Sequence, residues 1–241
     1  MPIKVIPKTN DELVDAIRVN EDYLMFKRPR DEKVLDAMRR VDRKDFLLRS
    51  LPFLNTWDQQ LNKETPYEDG ARPIGFKQTC SEPSMVAFID DILELQKGMT
   101  ILEIGTGCGY HAATVSELVG EKGLIISYEI VPELAAIAEQ NLRTLYKSDF
   151  DTRFDLKSAD GSIGRIDAKV DRIYFPACVT RTFDPNKLTK LLKPDGFIVY
   201  VREKDQGIHE ITKQYHQAGI AIYPPQKFGP VSFVPATGAN V

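Results

Sequence analysis

The sequence has few cysteines and histidines, and it has no long run of apolar residues. Its three cysteines, Cys80, Cys108 and Cys178, show no C-x-x-C spacing, which is typical of reduced thiols in a reducing compartment. Its three histidines are dispersed, so no zinc-type cluster is indicated. No segment approaches the roughly 20 apolar residues that a membrane-spanning helix needs, and the first residues contain no apolar signal core. We therefore expect a cytoplasmic protein that binds neither a metal nor a membrane.

The sequence also lacks an excess of positive charge. With 32 lysines and arginines against 35 aspartates and glutamates, its formal net charge is −3, which argues against a general nucleic-acid binder. A hydrophobic content of 42% and a charged content of 28% are ordinary for a globular protein. Its 241 residues suffice for one large domain or one domain with a small appendage. The oligomeric state stays open.

Helical patterns dominate the first 60 residues. Asn10 is a suitable N-cap for "NDELVDAIRV", and the alternating charges of residues 27–33 are typical of a solvated helical face. The segment "DEKVLDAMRRVDRKDFL" predicts a helix with a single apolar stripe, formed by Val34, Leu35, Met38 and Val41. Residues 51–76 are rich in turn formers, which predicts an irregular connection in which Trp57 covers the core.

Strand and helix patterns alternate from Ser81 onward. Ser81 is a suitable cap for the helix that starts at Pro83, and buried strands are indicated by "MTILEI", "GLIISYEI", "RFDLKSAD", "VDRIYF" and "DGFIVYV". Such alternation predicts an α/β, Rossmann-like fold with a mostly parallel twisted sheet and helices on both faces. Two further strands, "IHEITKQYH" and "GPVSFVPA", are expected to add an antiparallel edge.

The segment "ILEIGTGCGY" places three glycines, Gly105, Gly107 and Gly109, directly after a predicted strand. Their spacing is G-x-G-x-G and not the G-x-G-x-x-G of dinucleotide sites. Glu103 lies two residues before the first glycine, where its charge opposes a pyrophosphate and favours a cation. S-adenosylmethionine has an amino group and a sulfonium but no phosphate, so this segment favours that cofactor.

Acidic residues also follow the next two predicted strands. Glu129 ends "GLIISYE", where a carboxylate can accept both ribose hydroxyls of a nucleoside. Asp160 and Gly161 follow the third strand, in position to hold an adenine amino group. Each signal also has an ordinary explanation, since Glu129 could be a surface acid and Asp160-Gly161 an ordinary turn. Together, at the ends of three successive strands, they predict a methyltransferase-like site.

Several segments resemble the protein-L-isoaspartate O-methyltransferases, in particular the archaeal type. The matching segments are "VLDAMRRVDRKDFL", "YEDGARPIGFKQTCSEPSMVA", "ILEIGTGCGYHAA" and "FGPVSFVP". The resemblance implies the class I fold of S-adenosylmethionine-dependent methyltransferases. It makes residues 1–80 a helical segment and substrate-side loop, packed on a cofactor-binding core of residues 81–241. The implied reaction methylates the carboxylate of L-isoaspartyl residues in damaged proteins or peptides, a repair step that leaves S-adenosylhomocysteine.

The resemblance also assigns site residues. It makes Ser81 the active-site serine, although a serine at this place is equally explained as a helix cap. It places the cofactor against Gln78, Thr79, Cys80, Glu103, Gly105, Thr106, Gly107, Glu129, Ile130, Asp160, Gly161 and Thr237. A carboxylate with a pKa of about 4 is already an anionic nucleophile at neutral pH. No general base is therefore required.

The chain departs from the family pattern on the substrate side. Lys77 stands where the family has a small residue, Cys80 where it has isoleucine, Ser84 where it has histidine and Arg202 where it has glycine. Two alternatives therefore stay open. The first is a methyltransferase with another acceptor, either tRNA adenine or another carboxylate. The tRNA adenine methyltransferases contain segments similar to "ISYEI". The second is a cofactor-binding relative without catalysis.

Overall fold

The computed structural model describes residues 6–19, 31–164, 166–205, 207–217, 220–221 and 224–239. The helices of these segments are α1 (Asn10–Val19), α2 (Glu32–Arg40), α3 (Arg43–Leu48), α4 (Thr56–Glu64), α5 (Pro83–Ile92), α6 (Tyr110–Val119), α7 (Pro132–Tyr146), α8 (Phe150–Arg153) and α9 (Asn186–Thr189). The strands are β1 (Arg72–Gly75), β2 (Gln78–Cys80), β3 (Thr100–Ile104), β4 (Leu124–Glu129), β5 (Phe154–Ser158), β6 (Val170–Val179), β7 (Leu192–Asp205), β8 (Ile208–Gln217), β9 (Ile220–Ala221) and β10 (Gln226–Val231). None of the helices in these segments is long and apolar enough to span a membrane.

The main sheet has the strand order β10-β8-β7-β6-β3-β4-β5. Strands β3 to β7 run parallel, whereas β8 and β10 pair antiparallel at one edge, with β9 attached to β8. The predicted α/β fold with an antiparallel edge is therefore confirmed. Because the parallel strands end at the same edge, the loops after β3, β4 and β5 lie side by side.

Alternate residues of the strands enter two different cores, as the pleat of a strand requires. Ile101 and Ile125 belong to the larger core, which also receives buried residues of α1, α2, α3, α5, α6 and α7. Leu102 and Ile126 belong to the smaller core on the other face, which is covered by α9 and the segments beside it. Helices cover both faces, but most of them lie on one.

Aspartates define the helix boundaries of the N-terminal region. Asp31 caps α2, and Asp42 accepts a hydrogen bond from the Lys44 amide at the start of α3. The predicted single helix is therefore interrupted at Val41, because Asp42 competes for the backbone as a cap. The expected stripe is buried throughout.

Asn10 is not the cap of α1. Thr9 Oγ1 accepts the hydrogen bond from the Glu12 amide, while Asn10 lies inside the helix and donates through Nδ2 to the Met38 carbonyl at 2.9 Å. Its amide side chain thus joins α1 to α2. Residues 27–30, part of the charged stretch interpreted as a solvated face, lie outside the described residues.

The prediction of an irregular connection over residues 51–76 is wrong. Asn55 Oδ1 accepts a hydrogen bond from the Asp58 amide at 3.0 Å and starts α4, and β1 and β2 form a hairpin. Trp57 is 77% exposed in the first turn of α4, so it does not cover the core.

The last predicted strand, over residues 229–236, lies earlier in the chain than expected, because β10 begins at Gln226. β10 ends at Val231, and the chain then runs past Cys178, whose amide donates to the Val234 carbonyl at 2.8 Å. The Ala236 amide donates in turn to the Cys178 carbonyl. These bonds bring residues 232–236 across the carboxyl edge of the sheet.

Candidate functional site

The loop after β3 owes its shape to its three glycines. Gly105, Gly107 and Gly109 have φ values of 112°, 56° and 88°, a region that L-residues adopt only with strain. The amides of Gly105 and Thr106 donate to the Tyr128 carbonyl on β4. An added Cβ at Gly109 would lie 3.4 Å from the Cα of Ala138. The loop therefore bends sharply away from β3 and leads directly into α6.

Two cavities meet in front of this loop. The first, of about 40 Å³, is lined by Thr79, Cys80, Ser81, Val86, Gly105, Thr106, Gly107, Cys108, Tyr110, His111 and Pro176. The second, of about 220 Å³, is a groove lined by Ala71, Thr79, Ser81, Glu82, Met85, Ser232, Phe233 and Val234. Of the described residues, only Thr79 and Ser81 line both. Ser81 thus stands between an inner cavity at the glycine loop and an outer groove.

Ser81 is not the cap of α5. The N-cap is Glu82, whose side chain makes no capping hydrogen bond, and the Ser84 amide donates instead to Asp69 Oδ1 at 2.9 Å. Within the described residues the Ser81 hydroxyl makes no hydrogen bond. Its carbonyl accepts from Arg43 Nη2 at 3.1 Å. The backbone of Ser81 is therefore anchored while its hydroxyl is left for another partner.

Glu129 ties the end of β4 to the glycine loop. Its Oε2 accepts from the Gly107 amide at 2.8 Å and its Oε1 from the Val131 amide at 3.0 Å. Burial raises the pKa of Glu129, and the backbone hydrogen bonds oppose this shift. Ile130, the next residue, is 39% exposed, so an apolar side chain lies beside the carboxylate.

Glu103 lies beneath the loop and does not line the inner cavity. It is fully buried, and its carboxylate accepts from Ser127 Oγ and from the Tyr174 hydroxyl, both at 2.5 Å. Thr106 Oγ1 is hydrogen-bonded to Ser127 Oγ at 2.6 Å. Burial raises the pKa of Glu103, against the effect of nearby His111 and of these hydrogen bonds.

Asp160 and Gly161 lie in the loop that follows β5, after the loops that follow β3 and β4. Asp160 Oδ1 accepts from the Ser162 amide, and Oδ2 accepts from the Ala239 amide at 2.7 Å. Burial acts to raise the pKa of Asp160, but the hydrogen bonds from Ser162 and Ala239 outweigh it and lower this pKa. A Cβ at Gly161 would lie 2.6 Å from the Cβ of Tyr128, so no larger residue fits.

Thr237 and Gln78, the remaining predicted residues, do not line the inner cavity. Thr237 is exposed, two residues before the Ala239 contact with Asp160. Gln78 is half-buried at the start of β2 and lines neither cavity. The structure thus brings Thr79, Cys80 and Ser81 together with the glycine loop, and it places Asp160 and Thr237 in a neighbouring group.

The model of the protein family described as protein-L-isoaspartate(D-aspartate) O-methyltransferase matches residues 10–241 of this chain. Protein-L-isoaspartate O-methyltransferase 1 of Archaeoglobus fulgidus is 37% identical to this chain over 191 residues, covering 74% of this chain and 80% of that relative. The chain belongs to this family. The protein-L-isoaspartate O-methyltransferase of Methanothrix thermoacetophila is likewise 37% identical, over 187 residues that cover 76% of this chain and 80% of the relative.

Solved structures support the fold. A Plasmodium falciparum structure described as a protein-L-isoaspartate O-methyltransferase, in complex with S-adenosyl-L-homocysteine, has a TM-score of 0.73 at 19% identity. It covers 95% of this chain and 98% of that one. A second structure described as a protein-L-isoaspartate O-methyltransferase has a TM-score of 0.74 at 23% identity and covers 95% of this chain and 66% of that one.

Lys77 departs from the family at a position where backbone shape explains the family's small residue. Phe76 and Lys77, at the tip of the β1–β2 hairpin, have φ values of 54° and 60°. Both central residues of a tight hairpin turn need such values, which favour glycine and asparagine. Lys77 therefore occupies a strained conformation four residues before Ser81, with an exposed side chain.

Lys77→Gly is expected to raise the free energy of unfolding by up to about 1 kcal/mol, because relief of the left-handed strain exceeds the added entropy of the unfolded chain. Urea unfolding followed by circular dichroism measures the change. Lys63→Gly is the matched control, since Lys63 is exposed in α4 and glycine there should destabilise by about 1 kcal/mol. Destabilisation by both substitutions would show that Lys77 is not strained.

Several residues around the cavity could not be predicted from the sequence. His111 is hydrogen-bonded through Nε2 to Asp90 Oδ1 at 3.0 Å, and its ring lies 4.8 Å from that of Tyr174. Burial opposes ionisation, but the Asp90 carboxylate prevails and raises the pKa of His111. Pro176 lies opposite Gly105. The one sequence signal for Pro176 is its position directly after a predicted strand. No local sequence pattern indicates that His111 lies at the cavity.

Proposed function

We propose that this chain transfers a methyl group from S-adenosylmethionine to the carboxylate of L-isoaspartyl residues in damaged proteins and peptides, as a repair reaction. Its family supports this reaction, and the relatives described above carry the activity in their names. The observation that carries the assignment of the site is the place of Ser81 between the inner cavity and the outer groove. The free state of the three cysteines supports a cytoplasmic location.

The residues present fit the cofactor. Glu129 accepts backbone hydrogen bonds from Gly107 and Val131, and the Ile130 amide also acts on it, whereas an ionised carboxylate has about four acceptor positions. It therefore retains an acceptor for a ribose hydroxyl. Asp160 Oδ2, with one bond from Ala239, retains an acceptor for an adenine amino group, and Ile130 offers an apolar contact. When bound, the cofactor supplies an electrophilic methyl group on a positively charged sulfur.

The chain's own task is to hold the acceptor carboxylate. This group is ionised at neutral pH, since its ordinary pKa is about 4, so no side chain has to remove a proton. The Ser81 hydroxyl donates to one carboxylate oxygen and leaves the other free to attack. Ser81 lies next to the start of α5, where the helix dipole favours negative charge. Catalysis here is chiefly a matter of orientation and exclusion of water.

A methyl-transfer assay tests this proposal. The full chain is incubated with cofactor carrying a tritiated methyl group and with one of three acceptors: an isoaspartyl peptide, the same peptide with normal aspartate, or tRNA. We expect base-labile label in the isoaspartyl peptide alone. Label in tRNA or in the aspartyl peptide would assign another acceptor. Cofactor binding without transfer to any acceptor would make the chain a binding relative.

A further inference from the structure

Cys80 and Cys108 meet in front of the glycine loop, although they come from separate segments. Their side chains are 5% and 2% exposed, and both line the inner cavity together with Ser81. Both residues are free thiols, and each affects the ionisation of the other. Two free thiols on the lining of a single cavity of about 40 Å³ are placed to close a disulfide across it.

A buried cation lies beside this pair. Arg43 is fully buried, and its terminal nitrogens donate to the backbone carbonyls of Pro66, Glu68, Gly70 and Ser81. Within the described residues it forms no ion pair with a carboxylate, and its Nε has no hydrogen-bond partner. The positive charge of Arg43 therefore acts on Cys80 without a neutralising carboxylate.

Cys80 is consequently a candidate nucleophile. The neighbouring Cys108 thiol lowers the pKa of Cys80 to about 6, with Arg43 contributing and burial opposing. Cys80 and burial in turn raise the pKa of Cys108 well above its ordinary value. At neutral pH the pair therefore consists of a thiolate and a thiol, which is the arrangement of a redox-active dithiol.

We propose that Cys80 and Cys108 form a peroxide-sensitive dithiol that closes to a disulfide across the inner cavity. The Cys80 thiolate attacks one oxygen of the peroxide, breaks the O–O bond and becomes a sulfenic acid while hydroxide leaves. The Cys108 sulfur then displaces hydroxide from the Cys80 sulfur, and the thiol proton leaves with it as water. Overall two thiols are oxidised to one disulfide, and the peroxide is reduced to two waters.

The disulfide would join the end of β2 to the glycine loop. Thr79 and Ser81 flank Cys80, and Gly107 and Gly109 flank Cys108, so both walls of the inner cavity would be fixed and drawn together. We expect this form to lose affinity for S-adenosylhomocysteine. That consequence rests on the proposed function, whereas the thiol chemistry does not.

Peptide mapping of the peroxide-treated protein tests the proposal. The reduced full chain is treated with hydrogen peroxide, denatured, blocked with maleimide and digested with trypsin. We expect residues 78–97 to be linked to residues 98–122, with a mass about 2 Da below the sum of the two peptides. Two of the three thiols should disappear and return with dithiothreitol. Maleimide-labelled Cys80 and Cys108 after treatment would overturn the proposal.

Single substitutions separate the two steps. Cys178→Ser is the matched control, because Cys178 is buried and its sulfur contacts the carbonyl of the next residue, as that of Cys80 does, but it lies outside both cavities. This variant should still form the linked peptide. Cys108→Ser should stop at a sulfenic acid on Cys80, which dimedone traps. Trapping on Cys178 alone would overturn the assignment of the nucleophile.

Calorimetry with S-adenosylhomocysteine then compares reduced and oxidised wild-type protein. Binding only by the reduced form supports the closure of the cavity, and equal binding by both forms overturns it. If the linked peptide forms but neither form binds, the proposed function fails while the dithiol stands.

Discussion

Glu129→Gln should weaken the binding of S-adenosylhomocysteine by about 100-fold or more, since each hydrogen bond to a charged group contributes about 1.5–3 kcal/mol. Glutamine keeps one acceptor oxygen and replaces the other by an amide NH₂. That NH₂ would face the amide of either Gly107 or Val131, both of which donate to the native carboxylate. The substitution therefore removes the negative charge that holds the ribose. It also places the NH₂ group of glutamine next to a backbone N–H, so that two hydrogen-bond donors face each other.

Isothermal titration calorimetry measures this loss. Glu139→Gln is the matched control, because Glu139 is exposed and pairs, among the described residues, only with Arg143, so its substitution should leave the affinity unchanged. A thermal unfolding curve for each variant shows whether the loop alone or the whole fold is affected. An affinity for Glu129→Gln equal to that of the wild type would remove Glu129 from the cofactor site.

The sheet and its carboxyl-end loops could be predicted because their signals are local. Gly105 and Gly107 directly follow an apolar run, and their left-handed φ values are what such a cluster indicates. The β1–β2 hairpin could not be found in the same way, since Phe76 and Lys77 at its tip are not turn formers. The exposure of Trp57 could not be predicted for a related reason, because the burial of an aromatic side chain depends on which residues pack against it.

The polar contacts of the site depend on strand register, which the sequence does not reveal. Glu103 lies opposite Ser127 on β4 and opposite Tyr174 on β6, so neighbours on both sides provide its hydrogen bonds. Without the register, Glu103 could only be interpreted as a carboxylate facing a cation. The same holds for the presence of Cys80 and Cys108 on one cavity, which depends on how the β1–β2 hairpin packs against the glycine loop.

Ser81→Ala should lower kcat for the isoaspartyl peptide by about 100-fold, the usual cost of removing one donor that orients or stabilises a reacting oxygen. The Ser81 hydroxyl makes no hydrogen bond within the described residues, so its removal breaks no bond of the fold. The free energy of unfolding should therefore change by less than about 0.5 kcal/mol. Because its anchored backbone is unchanged, the affinity for S-adenosylhomocysteine should also be kept.

The separation of these three readouts distinguishes a catalytic serine from a structural one. Steady-state methyl transfer gives kcat, calorimetry gives the cofactor affinity, and urea unfolding gives the stability of the same preparation. Ser148→Ala is the control and should change none of them, because Ser148 is exposed and its hydroxyl bonds, in the part of the chain that the structure describes, only to Asp149. Full activity of Ser81→Ala would show that backbone groups alone orient the carboxylate. A fall in activity that tracks a loss of stability would instead show that the hydroxyl supports the fold.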